Sequence, residues 1–202
     1  MINYRSVRHG VAVGCMLLVS SLWCAERAAA APGPAGLRAE QKEGGFLILE
    51  GDKPVFFYQR ATKSLEGKFP RANYLHPLYD LDGNVLTEDF PKDHFHHRGI
   101  FWAWHQLRAD GRKAGDSWET RDFSWDVRDV TVSTPGENTL VLKARVLWVS
   151  SLQPGGGEPK PLVEETTTIT VHRATAENRM IDFHIRLLAL EKGLLIGGSE
   201  DE

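Results

Sequence analysis

Cysteine is nearly absent from the chain. Of its 202 residues only Cys15 and Cys24 are cysteines, and both fall within the first 31. A protein that loses that segment can form no disulfide and no thiolate metal site, so an ordinary core must hold it together. An excess of basic charge is also lacking: 24 Lys and Arg stand against 27 Asp and Glu. No basic stripe is present, which argues against a nucleic-acid partner. Past residue 31 no apolar run approaches the ~20 residues needed to span a bilayer. Neither an internal repeat nor an amphipathic helical period can be read along the chain.

What is present begins with an export pattern. Arg5, Arg8 and His9 give a basic start, Val11 to Cys24 is apolar, and Ala28 to Ala31 offers small residues before Pro32. Residues 1–31 therefore read as a cleaved signal peptide. The expected location is the periplasm or the extracellular space, with no membrane span after cleavage. Cleavage would take three arginines and Glu26 and leave a net charge of −5, against −3 for the whole chain. Residues 32–45, rich in Gly and Pro, read as a linker. About 170 residues remain, enough for one domain with its own core.

From residue 46 onward the chain reads as strands. Phe46–Glu50 and Val55–Arg60 flank the turn Gly51-Asp52-Lys53-Pro54, a hairpin. Tyr74–Tyr79 is a short strand that Pro77 assigns to a sheet edge. Residues 88–98 read as a loop, Gly99–Leu107 as an aromatic strand, and residues 108–117 as a second loop. Ser124–Ser133, Thr139–Ser150, Leu162–Arg173 and Arg179–Leu190 are long strands. In the last of these Ile181, Phe183, Ile185 and Leu187 alternate with Asp182, His184 and Arg186. The expected fold is all-β, an antiparallel β-sandwich over residues 46–202.

Chemistry concentrates in one stretch. Five of the eight histidines, His76, His94, His96, His97 and His105, lie between residues 76 and 105. Imidazole titrates near neutral pH and also ligates transition metals. If the segment is extended, His94 and His96 point to one side and His97 to the other. Arg98 can orient carboxylate or hydroxyl oxygens with its planar fork. The rings of Phe101, Trp102, Trp104 and Trp118 offer flat faces suited to sugar C–H groups. His96, His97, Arg98 and Glu119 are the candidate catalytic residues, and His76, Trp102, Trp104 and Trp118 the candidate substrate contacts. Asp89, Asp93 and Asp116 are further carboxylates that can complete a pocket. A metal reading uses His94, His96 and His105, and a His-bound metal ion is the one cofactor these residues point to. Three functions stay open: action on a small-molecule or oligosaccharide ligand, a His-ligated metal-dependent oxidoreductase, and a non-enzymatic sugar-binding or scaffold domain.

The run Tyr74-Leu75-His76-Pro77-Leu78-Tyr79, then Asp89-Phe90-Pro91, His94, His96-His97-Arg98-Gly99 and Phe101-Trp102-Ala103-Trp104-His105, resembles the bacterial PmoA-like family, named for "methane oxygenase PmoA". Ser117-Trp118-Glu119 and Gly197-Gly198-Ser199-Glu200-Asp201-Glu202 are similar to further blocks of it. The resemblance implies an exported bacterial protein of carbohydrate-degrading organisms, and a fold like the galactose mutarotase supersandwich. It does not imply methane oxidation, since the namesake subunit is an integral membrane protein. Family domains continue past the Gly197–Glu202 block, so an incomplete domain is expected, with few strands left to cover the apolar face of the long ones.

Overall fold

The computed structural model describes residues 36–153 and 157–198. The expected signal peptide and the segment 199–202 lie outside the described residues. The described chain is an all-β antiparallel sandwich. Its strands are β1 (Leu37–Lys42), β2 (Gly45–Glu50), β3 (Lys53–Gln59), β4 (Lys63–Leu65), β5 (Lys68–Arg71), β6 (Tyr74–Leu78), β7 (Gln106–Ala109), β8 (Arg112–Gly115), β9 (Phe123–Gly136), β10 (Thr139–Ser150), β11 (Lys160–His172), β12 (Ile181–Ala189) and β13 (Leu195–Gly197). Among the described residues no helix is long and apolar enough to cross a membrane.

Two four-stranded sheets make the sandwich, ordered β1-β2-β3-β6 and β9-β10-β11-β12. Their cause is the period-two pattern. On β10 the side chains of Leu140, Leu142, Ala144, Val146 and Trp148 are all buried, while Lys143 and Arg145 point to solvent. On the first sheet Ile48, Val55, Phe56, Tyr58 and Leu75 turn inward and join the same core cluster. Burying each Leu, Ile, Val or Phe contributes about 1.5–3 kcal/mol. The expectation that few strands remain to cover the long ones is corrected here, because β1, β2, β3 and β6 form that cover. Pro77 lies on β6, at the edge of the first sheet, as expected.

Two further expectations change. Residues 37–42 are not linker but β1, paired with β2 from Leu37↔Glu50 to Lys42↔Gly45. Leu37 is buried, and Gly44 takes a positive φ of 79° in the connecting turn. Of the Gly and Pro residues that mark a linker, Pro32, Gly33, Pro34 and Gly36 precede β1, whereas Gly44 and Gly45 belong to the turn into β2 and to β2 itself. The proposed aromatic strand Gly99–Leu107 is regular only from Gln106. Residues 99–105 meet β6 at the bridge Leu75↔Ile100 and form no strand of their own. Their rings pack against the core instead of joining a ladder.

Two small hairpins flank this segment. β4 and β5 turn at Glu66-Gly67, and β7 and β8 at Asp110-Gly111, each with two successive positive φ angles. That conformation suits the right-handed twist of a two-residue hairpin. Residues 108–117, expected as loop, are thus a hairpin, with β13 pairing to the far side of β7.

Candidate functional site

The segment 91–98 is a compact turn. The His94 N–H donates to the Pro91 carbonyl at 3.0 Å, and the His97 N–H to the His94 carbonyl at 2.9 Å. These turns replace the extended geometry expected from the sequence and bring three imidazoles into contact. Ring centroids are 4.5 Å apart for His96 and His97, 4.8 Å for His94 and His97, and 5.9 Å for His94 and His96. Trp118 closes the cluster, 5.5 Å from His97 and 5.9 Å from His96, and Phe101 packs on both His97 and Trp118. Glu119 Oε1 stands 3.6 Å from His96 Nδ1, too long for a hydrogen bond but within ion-pair reach. On the outer flank Asp93 Oδ2 lies 3.2 Å from His94 Nδ1.

The members differ in exposure. His94 is 54% exposed, His96 only 13% and Glu119 29%. His96 Nε2 is buried without a hydrogen-bond partner among the described residues. Burial pushes the His96 pKa below 6.5, and Glu119 pulls it back in part. Burial also lowers the pKa of His97, with His94 adding to the effect. Both rings therefore favour the neutral form, in which one nitrogen can accept a proton.

Two arginines support this cluster, and both are buried. Arg98, expected to orient ligand oxygens, has no exposed side-chain surface. Its Nε donates to Asp89 Oδ1 at 2.5 Å, Nη1 to the Phe69 carbonyl at 2.8 Å, and Nη2 to the Tyr74 hydroxyl and the Lys63 carbonyl. The guanidinium lies 3.5 Å from the Phe90 ring centroid. Arg98 is a post that ties the β4–β5 hairpin to the base of the histidine turn, because its fork is filled by protein acceptors. Arg71, at the end of β5, was not singled out from the sequence. Its guanidinium lies 4.4 Å from the ring centroids of both Phe101 and Trp125, and Nη2 donates to the Ser117 and Trp118 carbonyls. Arg71 thus fixes Trp118 and Phe101 from behind. Burial lowers its pKa, with Arg98 adding to the shift.

The remaining candidates are placed as follows. His105 Nδ1 sits 3.2 Å from Asp116 Oδ2, and its ring packs on Trp118. Asp116, itself buried, also accepts from the Glu119 N–H at 2.8 Å and lies 3.7 Å from Arg121. The metal set His94, His96 and His105 is not assembled, and no cluster of three or more His, Cys, Asp or Glu among the described residues has metal-binding geometry. The turn that gathers His94, His96 and His97 leaves His105 on a different segment with a carboxylate partner. His76 bonds Thr87 Oγ1 at 3.0 Å and does not join the imidazoles. Trp102 and Trp104, expected as ligand contacts, are committed to packing. Trp104 packs at a 39° tilt on the buried Trp148, ring centroids 5.7 Å apart, and the Trp102 indole N–H donates at 3.1 Å to Glu165. Of the expected aromatic contacts, Trp118 alone stands in the histidine cluster.

Glu165 is the polar residue that the sequence did not reveal. It is fully buried on β11 among threonines. Its carboxylate accepts from Trp148 Nε1 at 2.6 Å, Asn73 Nδ2 at 2.7 Å, Trp102 Nε1 and the Thr167 hydroxyl. Asn73 Oδ1 in turn accepts from the Tyr58 hydroxyl at 2.8 Å. This network joins the two sheets and anchors the segment that carries Phe101.

Residues 46–201 match the family described as "Family of unknown function (DUF6807)", and the chain belongs to that family. No curated protein and no solved structure matches it.

Proposed function

We propose that this DUF6807 member is an exported protein that binds a carbohydrate over the Trp118, Phe101 and histidine surface, with His96 and Glu119 as its proton-handling pair. The observation that carries the reading is the desolvated His96, with one unpartnered ring nitrogen, set 3.6 Å from a half-exposed carboxylate and beside flat rings. A group held neutral by burial beside an ionisable partner is suited to accept and return a proton. Trp118 and Phe101 present ring faces of the kind that pack on sugar C–H groups, while the imidazoles and Glu119 can bond hydroxyls. Arg71 acts from behind as a positioning residue. The pattern of residues 1–31 and the resemblance of the histidine block to PmoA-like proteins support export and a carbohydrate setting.

Calorimetric titration of the purified chain with a panel of mono- and oligosaccharides tests the reading. Binding that weakens at least tenfold in Trp118→Ala, and an activity on the bound sugar that falls in His96→Ala and Glu119→Gln while binding persists, is the expected result. Folded protein that binds no sugar in the panel overturns it. Binding that is unaffected by Trp118→Ala removes the ligand from this surface.

A further inference from the structure

The sheet β9-β10-β11-β12 ends in two edges that differ in kind. Strand β9 carries Pro135 and two register shifts against β10, features that blunt an edge against pairing. Strand β12 has none of them. It pairs with β11 from Val163↔Ala189 to Val171↔Ile181 without a shift, and it contains no proline. The Met180 carbonyl accepts from the His172 N–H, and the Leu190 N–H donates to the Leu162 carbonyl, so the even-numbered residues bond toward β11. By the alternation of an antiparallel ladder, the N–H and C=O groups of Ile181, Phe183, Ile185, Leu187 and Ala189 point to the edge, where no other described strand pairs. The side chains of Ile181, Phe183, Ile185 and Leu187 form the inward face and are only half-buried.

From this edge we infer that β12 pairs antiparallel with β12 of a second copy, about a two-fold axis at His184, to make one continuous eight-stranded sheet. The register follows from the side chains. A slip by one residue would set the apolar face of one strand against the charged face of the other. Among the remaining registers, the one centred on His184 places Asp182 opposite Arg186 of the second copy, and Arg186 opposite its Asp182. The same register puts Leu188 opposite Met180, two apolar side chains that are 49% and 56% exposed in the single chain. On the inward face it aligns Ile181 with Leu187 and Phe183 with Ile185. Shifting the centre by one residue to either side loses the Asp182–Arg186 match.

The charges are free to meet. Arg186 is exposed and makes no ion pair among the described residues. Asp182 uses Oδ2 for His172 Nε2 at 2.8 Å, which leaves Oδ1 for the arginine across the axis. Asp182, His184 and Arg186 occupy non-hydrogen-bonded pairs of the new ladder, where facing side chains approach most closely. The occupant is thus specified by complementarity of charge and of apolar pattern in a single register, and that occupant is a second copy of this chain.

Sedimentation equilibrium of the full chain and its variants tests the pairing. Asp182→Arg and Arg186→Asp each place like charges opposite at both ends of the axis and should each raise the dimer Kd at least about tenfold. The double variant Asp182→Arg/Arg186→Asp restores both pairs and should return Kd to near the parent value. In a Cys15→Ser/Cys24→Ser background, His184→Cys should form a disulfide-linked dimer on oxidation, and Leu188→Cys should not. A parent chain that stays monomeric at ~200 µM, which sets Kd above the range of a useful interface, overturns the inference. So does a dimer in which the double variant fails to recover while circular dichroism shows it folded, or in which Leu188→Cys links as readily as His184→Cys. In either case the contact lies elsewhere on the surface.

Discussion

Replacing Glu165 with leucine removes the acceptor at the centre of the sandwich. The indole N–H of Trp148 at 2.6 Å and the amide of Asn73 at 2.7 Å have no second acceptor among the described residues, and the Trp102 N–H loses its bond as well. An orphaned buried donor costs about 1–3 kcal/mol, and the Thr167 hydroxyl can turn elsewhere. Two to three stranded donors, less the gain from burying leucine, give a net loss of ~3–5 kcal/mol. For a domain with the usual ~5–15 kcal/mol of stability that is a large share. Glu165→Gln keeps the shape but turns an amide N–H₂ toward donors, and should cost about half as much. Urea unfolding followed by tryptophan fluorescence measures both, with the midpoint falling and the slope unchanged. A double-mutant cycle with Asn73→Ala should show a coupling of about 0.5–3 kcal/mol. A Glu165→Leu variant as stable as the parent, within 1 kcal/mol, would refute the reasoning. The buried carboxylate would then be an ion whose desolvation cancels its bonds.

Further outcomes follow from the same geometry. Gly99→Ala should destabilise the domain by more than ~2 kcal/mol, because a Cβ there meets the Leu75 carbonyl oxygen at 2.0 Å and φ is +45°; thermal melting checks it. Burial depresses the pKa of His76, His96 and His97 in the folded protein, so the unfolded chain binds more protons as pH drops. Their contribution to stability is therefore fully present above pH 6.5 and is lost below it; unfolding midpoints that rise on acidification from pH 7 contradict this. His96→Ala combined with His97→Ala should flatten that slope without abolishing folding. Leu142→Ala, on a strand position with no exposed surface, should cost ~2–5 kcal/mol in urea unfolding. Arg71→Met should leave the core largely intact but free Trp118, seen as a red-shifted, more quenchable emission.

The long strands were legible because each side chain obeys a period of two over nine residues or more, as on β10 and β12. Short elements were not. Strand β1 hides behind a glycine- and proline-rich start, and β4, only three residues long, has no buried side chain to mark it. The β7–β8 hairpin did carry a signal, Asp110-Gly111, which is among the strongest two-residue turn signatures and outweighs the surrounding loop-like composition. Within the site, the clustering of His94, His96 and His97 was visible as spacing, but their mutual contact depends on two consecutive turns that spacing does not encode. Arg98 and Arg71 show why residue type alone misassigns roles. A guanidinium reads the same whether it awaits a ligand or braces a loop, and the carbonyl acceptors that decide the matter come from residues 29 to 47 positions away. Glu165 was illegible for the opposite reason. A carboxylate in a threonine-rich strand reads as solvent-facing until its donors on three other segments are known.

The order of the strands has a consequence for how the chain reaches its native state. In both large sheets most neighbours in space are neighbours in sequence: β1 to β3, and β9 to β12. Each of those pairings closes a short loop, which is entropically cheap and fast. The links between the halves are of another kind. Asn73 to Glu165 spans 92 residues and Glu50 to Arg179 spans 129. Two meanders that zip independently and then search for one another should place the barrier at their docking. Core substitutions on β10 that face the first sheet would then slow folding, whereas changes in the histidine turn, which lies between the two meanders in sequence and packs on Trp118, Phe101 and the β4–β5 hairpin, would chiefly speed unfolding. The site would be the last part to form and the first to open.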